Sequence, residues 1–123
     1  MLKERKYDFD STTVLDSSPS IVYTYIIPSC RIVSLKIKFM VYNIDEGKSN
    51  ILHHTFCYIH DDVTPAGVNV NPSINYNIQK SSLDIDVEYI QSTNTVRFSI
   101  TNTGSYAPEI ACNWLIDMEV FTD

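Results

Sequence analysis

The sequence has 123 residues, of which nine are basic and fifteen acidic, so its net charge is −6. This length suits one domain that folds without disulfides or metal ions, and the acidic balance argues against nucleic-acid binding as the main role. No apolar run approaches the roughly 20 residues of a membrane-spanning helix, and no hydrophobic segment of a signal peptide follows the charged opening. We therefore expect a protein made in a cytoplasm, with neither nucleic acid nor membrane as a partner.

The N-terminal segment is polar and charged, with basic side chains at Lys3, Arg5 and Lys6. We expect a polar N-terminal arm over residues 1–18 and one β-sandwich domain over residues 19–123. Chain termini stay mobile unless something holds them. The arm is therefore either loose or ordered against a neighbouring subunit.

Alternation of apolar and polar residues predicts strands over most of the remaining chain, because successive strand residues face opposite sides of a sheet. The first is residues 20–27. Residues 31–44 follow and alternate most regularly, with one face in the core and the other carrying charge. The turn residues at 45–48 predict that residues 50–60 return antiparallel as a hairpin.

The second half of the chain continues the same pattern. Its predicted strands are residues 68–70, 73–79, 82–90, 95–101 and 112–121. Pro72 lies between the first two and suggests a sheet edge or a break, because proline cannot donate a hydrogen bond to a ladder. The last strand places the only tryptophan, Trp114, at the start of an inward apolar row that ends at Val120. This row is expected to anchor the core.

No segment carries the apolar stripe of an amphipathic helix. The sequence therefore predicts an all-β protein with a single antiparallel β-sandwich, jelly-roll or immunoglobulin-like in order, of about seven to nine strands. An extended N-terminal arm is expected to precede the sandwich. The pattern does not determine which strands are neighbours.

Both ends of the chain carry a series of weak motifs. Near the N-terminus these are Thr12-Thr13 leading to Pro19, Ile21 and Ile26, and the long alternating strand after Pro28. Near the C-terminus they are an acidic alternating strand, the strand 94–101, the glycine turn at Gly104, and Asn113-Trp114. Together they resemble small β-sandwich modules of tailed-phage virion proteins over nearly the whole chain. The loop 105–111 departs from that pattern, because it is longer and contains Pro108.

The resemblance implies a virion structural protein rather than an enzyme. A sandwich without stalk or anchoring domain is expected to dock on something larger, which favours a capsid accessory or decoration subunit, or a head fibre. Its partners would be the major capsid protein or other virion proteins, with a homo-oligomer as a further option, in a particle assembled in the host cytoplasm. The alternative is a tail-associated module, such as a tail fibre, that binds a receptor or a host surface glycan.

Candidate interface residues come from exposed positions on this predicted fold. They are Lys3, Arg5 and Lys6 in the arm, Met40 and Tyr42 on the charged face of the long strand, Tyr106 in the last loop, and Leu115 and Phe121 on the outer row of the last strand. Tyrosines in strands pack in cores or across strands by default. Some could instead form an interface patch or a platform for sugars, because tyrosine combines a large contact area with a polar tip.

The remaining chemistry-bearing residues support no catalytic, cofactor or metal site. Asp84, Asp86 and Glu88 line one strand face, which is read as solvated or opposite Lys36 and Lys38 of a neighbouring strand or subunit; cation binding and a glycosidase pair are the alternatives. His53 and His54 point to opposite strand faces and cannot share an ion. His60, Asp61 and Asp62 are read as solvated, with weak cation binding as the alternative. Cys30, Cys57 and Cys112 are expected to be free thiols.

Overall fold

The computed structural model describes residues 2–16, 19–27, 32–59, 68–90 and 92–122, apart from the side chains at 2, 32, 56–59 and 68–77. Across these ranges the chain is all-β and contains eight strands. The strands are β1 Leu2–Leu15, β2 Ser20–Ile26, β3 Ile32–Asn43, β4 Lys48–Ile59, β5 Val68–Gln79, β6 Leu83–Ile90, β7 Thr95–Asn102 and β8 Glu109–Thr122. The described ranges contain no helix, and therefore none that could cross a membrane.

The strands form two antiparallel sheets that pack face to face. The large sheet has the order β1-β8-β3-β4-β5 and the small sheet the order β2-β7-β6. Within the large sheet β3, β4 and β5 follow one another, and β8 returns to lie beside β3, which is the order of a Greek key. The first and last strands are nested, since β1 pairs with β8 and β2 with β7. The predicted antiparallel β-sandwich is confirmed.

Strand β1 lies where the polar N-terminal arm was expected. Residues Leu2–Leu15 pair with β8 along their whole length, and Val14 is completely buried. Most of this segment is polar, and two of its basic side chains form ion pairs with carboxylates of β8, Lys3 with Glu119 and Arg5 with Asp117. The segment is thus an edge strand of the chain's own large sheet, rather than an arm outside the sandwich.

The free edge of β1 is partly closed by its own side chains. The N–H of Phe9 donates to Asp8 Oδ1 at 2.9 Å, and the N–H of Ser11 donates to Asp10 Oδ1 at 2.7 Å. Unpaired N–H groups on an edge strand are a template for association with another strand. The two carboxylates occupy such donors and add negative charge at the edge.

The turn chemistry agrees with the predicted hairpins. Gly47 has a φ of 66°, in the region where glycine carries no steric penalty, and it links β3 to β4. Asn94 has a φ of 53° between β6 and β7, and asparagine is among the residues that tolerate this conformation. Pro72 lies in β5, which is an edge strand with a register irregularity at that point, so the predicted edge position is confirmed.

Two buried asparagines fix the connections between the sheets. Asn50 Oδ1 accepts the N–H groups of Lys80 at 3.1 Å and Ser81 at 2.9 Å, where the chain leaves β5 for β6. Asn102 Nδ2 donates to the carbonyl of Ala107 at 2.9 Å, where the chain leaves β7 for β8. Buried backbone groups without partners are costly, and these two side chains satisfy several of them.

The core is the set of inward rows from both sheets. The inward residues of β3 and the Trp114 row of β8 are buried, as predicted. Phe39 of the large sheet and Phe98 of the small sheet meet edge to face, with ring centroids 5.4 Å apart. Tyr23 adds a second edge contact to Phe98 at 5.6 Å. Phe98 therefore joins the two sheets at the centre of the sandwich.

Replacing Phe98 by alanine removes both aromatic contacts and leaves a cavity between the sheets. We expect the free energy of unfolding to fall by about 3–5 kcal/mol, measured by urea denaturation. The matched control is Tyr7→Ala, which truncates an aromatic ring that is 54% exposed. The control should change stability by less than about 1 kcal/mol, and equal losses for both variants would contradict this assignment of the core.

Candidate functional site

The outer face of the large sheet carries one apolar residue from each of its five strands at the same level. The register places Phe9 beside Leu115, Leu115 beside Met40, Met40 beside Ile51, and Ile51 beside Ile78. We call these five residues the apolar row. Neighbouring strands are about 4.8 Å apart, so the row runs roughly 19 Å across the sheet. Met40, Ile51 and Leu115 alternate with buried residues of their strands.

A shallow groove of about 630 Å³ follows the row on the side of β1, β8 and β3. Phe9 is 66% exposed, and its ring meets Tyr7 edge to face with centroids 5.9 Å apart. Tyr42 is also exposed and lines the same groove, where the hydroxyl of Ser11 contacts Asn113 Oδ1 at 2.8 Å. Contiguous exposed apolar surface of this kind marks interaction sites more often than isolated apolar residues do.

Charged residues flank the apolar row toward the N-terminal end of β1. The guanidinium of Arg5 donates to both oxygens of Asp117, from Nε at 2.9 Å and from Nη2 at 2.7 Å. This hydrogen bond, together with the positive charges of Arg5 and Lys38, holds the pKa of Asp117 below its usual range. Lys3 Nζ lies 3.8 Å from Glu119 Oε2. Both carboxylates of this flank are thus neutralised within the face.

Cations outnumber carboxylates on this part of the large sheet. Among the described outward residues from Lys3 to Tyr7 of β1 and their cross-strand neighbours, Lys3, Arg5, Lys36 and Lys38 are positive, and Asp117 and Glu119 are negative. The ring of Phe121 lies between two of the cations, with Lys3 Nζ 5.6 Å and Lys36 Nζ 5.7 Å from its centroid. The face therefore has a positive balance although the whole chain is acidic.

The outer face of the small sheet has the opposite character. Asp84, Asp86 and Glu88 alternate with buried residues along β6 and are all exposed. We call these three residues the acidic row. They lie on a different sheet and a different outer face from Lys36 and Lys38, so they are not opposite those lysines within one chain. The two described grooves are lined by other residues.

The structure brings most of the predicted interface residues to one face. Met40, Tyr42 and Leu115 line the groove. Lys3, Arg5 and Phe121 lie on the same outer face beyond the groove. Two residues lie elsewhere: the Nζ of Lys6 is 2.6 Å from Glu4 on the other side of β1, and the Tyr106 hydroxyl donates to the carbonyl of Asp45 at 3.1 Å, near the turn between β3 and β4.

Four apolar or aromatic members of the site were not predicted from the sequence: Tyr7, Phe9, Ile51 and Ile78. Tyr7 and Phe9 were assigned to the polar arm, although their spacing of two, continued by Ser11, is the alternation of a strand. Ile51 was assigned to a strand, but its face depends on the register with Met40, which the sequence does not show.

The histidines and cysteines give no metal site in the described residues. No group of three or more metal-ligating side chains occurs there, and His60, Asp61, Asp62 and Cys30 lie outside the described ranges, as does the side chain of Cys57. His53 faces outward and His54 inward, as predicted. Cys112 is a free buried thiol, and burial raises its pKa to about 11, which makes it a poor nucleophile.

No protein family and no curated protein matches this sequence. Among solved structures, the tailspike protein of Acinetobacter baumannii phage AM24 aligns with 93% of this chain at 8% sequence identity and a TM-score of 0.43. The alignment covers 26% of the tailspike chain, so this chain spans about a quarter of that protein's length. A similarity at this level carries no argument about function.

Buried His54 makes stability depend on pH. Burial lowers its pKa below the ordinary value of 6.5, and the charge of Asp86 offsets this in part. The unfolded state then binds a proton more readily than the folded state. We expect the contribution of neutral His54 to the free energy of unfolding to be complete above pH 6.5. It should be lost as the pH falls through the lower pKa that His54 has in the folded state.

The measurement is the free energy of unfolding between about pH 7 and pH 5, a window set by the ordinary histidine pKa. His54→Leu should flatten this profile, and the control His53→Leu should keep the wild-type slope. A wild-type slope in the His54→Leu variant would assign the pH dependence to other groups.

Proposed function

We propose that this chain is a non-enzymatic structural subunit of a tailed-phage virion. Its role would be that of a capsid accessory or decoration subunit, or of a head fibre, which binds another virion protein through the outer face of the large sheet. The observation that carries the proposal is the apolar row with the exposed aromatic rings beside it. The resemblance of the sequence to virion β-sandwich modules supplies the biological setting.

The chemistry of the face suits a protein partner. Interface centres are enriched in aromatic residues, methionine and arginine and are rimmed by polar groups, and this face has Phe9, Met40 and Tyr42 beside a charged flank that includes Arg5. The members of the apolar row lie on paired strands rather than on loops. A rigid surface loses little conformational entropy on binding.

A second candidate is a tail-associated module that binds a receptor or carbohydrate. The observation that favours it is the groove itself, in which Tyr7, Phe9 and Tyr42 stand beside the polar Ser11 and Asn113. Pockets that hold small ligands combine aromatic walls with a few polar groups in this way. The two candidates share the face and differ in what occupies it.

The test is particle incorporation of the double variant Met40→Thr, Leu115→Thr. Threonine keeps strand propensity and removes apolar contact area at the centre of the row, so the fold should persist while occupancy on purified particles falls about tenfold or more. Lys80→Thr, an exposed position between β5 and β6, is the control and should leave occupancy unchanged. Wild-type occupancy of the double variant would overturn docking through this face.

The same variants decide between the candidates. Binding of the wild-type protein to a glycan array, lost in the double variant, would favour the tail-associated module over the capsid role. Absence of glycan binding together with reduced particle occupancy would favour the capsid role.

A further inference from the structure

The two outer faces of the sandwich are complementary in charge. Lys36 and Lys38 are exposed on the large sheet, and the acidic row is exposed on the small sheet. The two sets lie on opposite outer faces of the sandwich, so they cannot meet within one molecule. They can meet between two molecules when the large sheet of one copy lies on the small sheet of the next.

The faces also match in their apolar parts. On the small sheet, Ile21 is 54% exposed and Ile26 is 72% exposed, both on β2. The register of the small sheet places Ile21 beside Ser99 of β7 and Ser99 beside Asp86. Two strand spacings, roughly 10 Å, therefore separate the exposed isoleucine from the acidic row.

On the large sheet, the charged and apolar residues are separated along a strand. Lys38 and Met40 both face outward and are two residues apart in β3, which is roughly 7 Å. Each face thus has charge on one side and apolar surface on the other, at similar distances. A partner face that meets both parts at once buries the apolar groups and pairs the charges.

We propose that copies of this chain associate head to tail, with the apolar row and lysines of one copy against Ile21, Ile26 and the acidic row of the next. This inference rests on the proposed function, because it assigns a second copy of the chain as a partner of the outer face of the large sheet. Such an interface is heterologous, so it produces rings or open stacks rather than closed dimers. The small sheet has three strands, so the contact is at the lower end of interface sizes and association is weak.

The test uses charge reversal on each face separately. Lys36→Glu with Lys38→Glu makes the large face acidic, and Asp84→Lys with Asp86→Lys makes the small face basic. Like charges then oppose each other in either variant, so each should associate at least about tenfold more weakly than the wild type. An equimolar mixture should associate again, because each variant offers a face complementary to the other. Sedimentation equilibrium over a concentration series at low salt measures this.

Lys80→Glu is the control for a charge change away from both faces and should associate as the wild type does. Far-ultraviolet circular dichroism and thermal unfolding establish that every variant is folded. Wild-type association of the Asp84→Lys, Asp86→Lys variant would overturn the inference, because it would mean that the small face takes no part. Failure of the mixture to associate, or a wild-type protein that is monomeric throughout, would also overturn it.

This inference and the proposed function fail separately. A monomeric purified protein overturns head-to-tail association and says nothing against docking on another virion protein. Wild-type particle occupancy of Met40→Thr, Leu115→Thr overturns docking through the face, whatever the sedimentation result.

Discussion

The register of β8 is the constraint on which the rest of the structure depends. This strand is hydrogen-bonded on both sides, to β1 and to β3, along almost its whole length. Its inward row from Ile110 to Thr122 is buried throughout. A slip by one residue would turn that row to solvent and bring Asp117 and Glu119 into the core, which is a large free-energy cost. The core therefore allows one register.

The same register determines the outer face. Once β8 is fixed, Leu115 must lie between Phe9 and Met40, and Asp117 must lie within reach of Arg5. Core packing on the inner side of these strands thus determines which residues are neighbours on the outer side, including the apolar row and its charged flank. The face is built on paired strands rather than on loops.

Charge is distributed unevenly over a chain whose net charge is −6. The large outer face has a positive balance around Lys36 and Lys38, whereas the acidic row is concentrated on the small sheet. Single surface ion pairs contribute little to stability. Charges at an interface act mainly on the orientation and specificity of binding. The placement of opposite charges on the two outer faces therefore bears on which surfaces can associate more than on stability.

Much of the fold could be predicted from local patterns. The alternation in β3, β6, β7 and β8 indicated both the strands and their buried faces, and Trp114 lies in the core as predicted. Strand order could not be predicted, because the partners of β8 are far from it in sequence. The nature of β1 was missed for the same reason: the β8 residues that pair with Lys3 and Arg5, which are Glu119 and Asp117, are more than 100 residues away in the sequence.

The candidate site was predicted in part. Met40, Tyr42 and Leu115 stood out as apolar or aromatic residues at positions where alternation called for polar ones. Phe121 stood out in the same way, and the structure places it between two lysine side chains. The apolar row as a continuous surface exists only in the folded sheet, because its five members come from five strands.

Under the proposed function, the outer face of the large sheet is the surface through which the protein assembles into particles. Hydroxyl-radical footprinting of the free protein and of purified particles tests it most directly, because phenylalanine and methionine side chains react readily when exposed. If particles cover this face, oxidation of Phe9 and Met40 should fall several-fold in particles, while that of Tyr106 in the β7–β8 loop should stay the same. Equal oxidation of Phe9 and Met40 in free and particle-bound protein would contradict it.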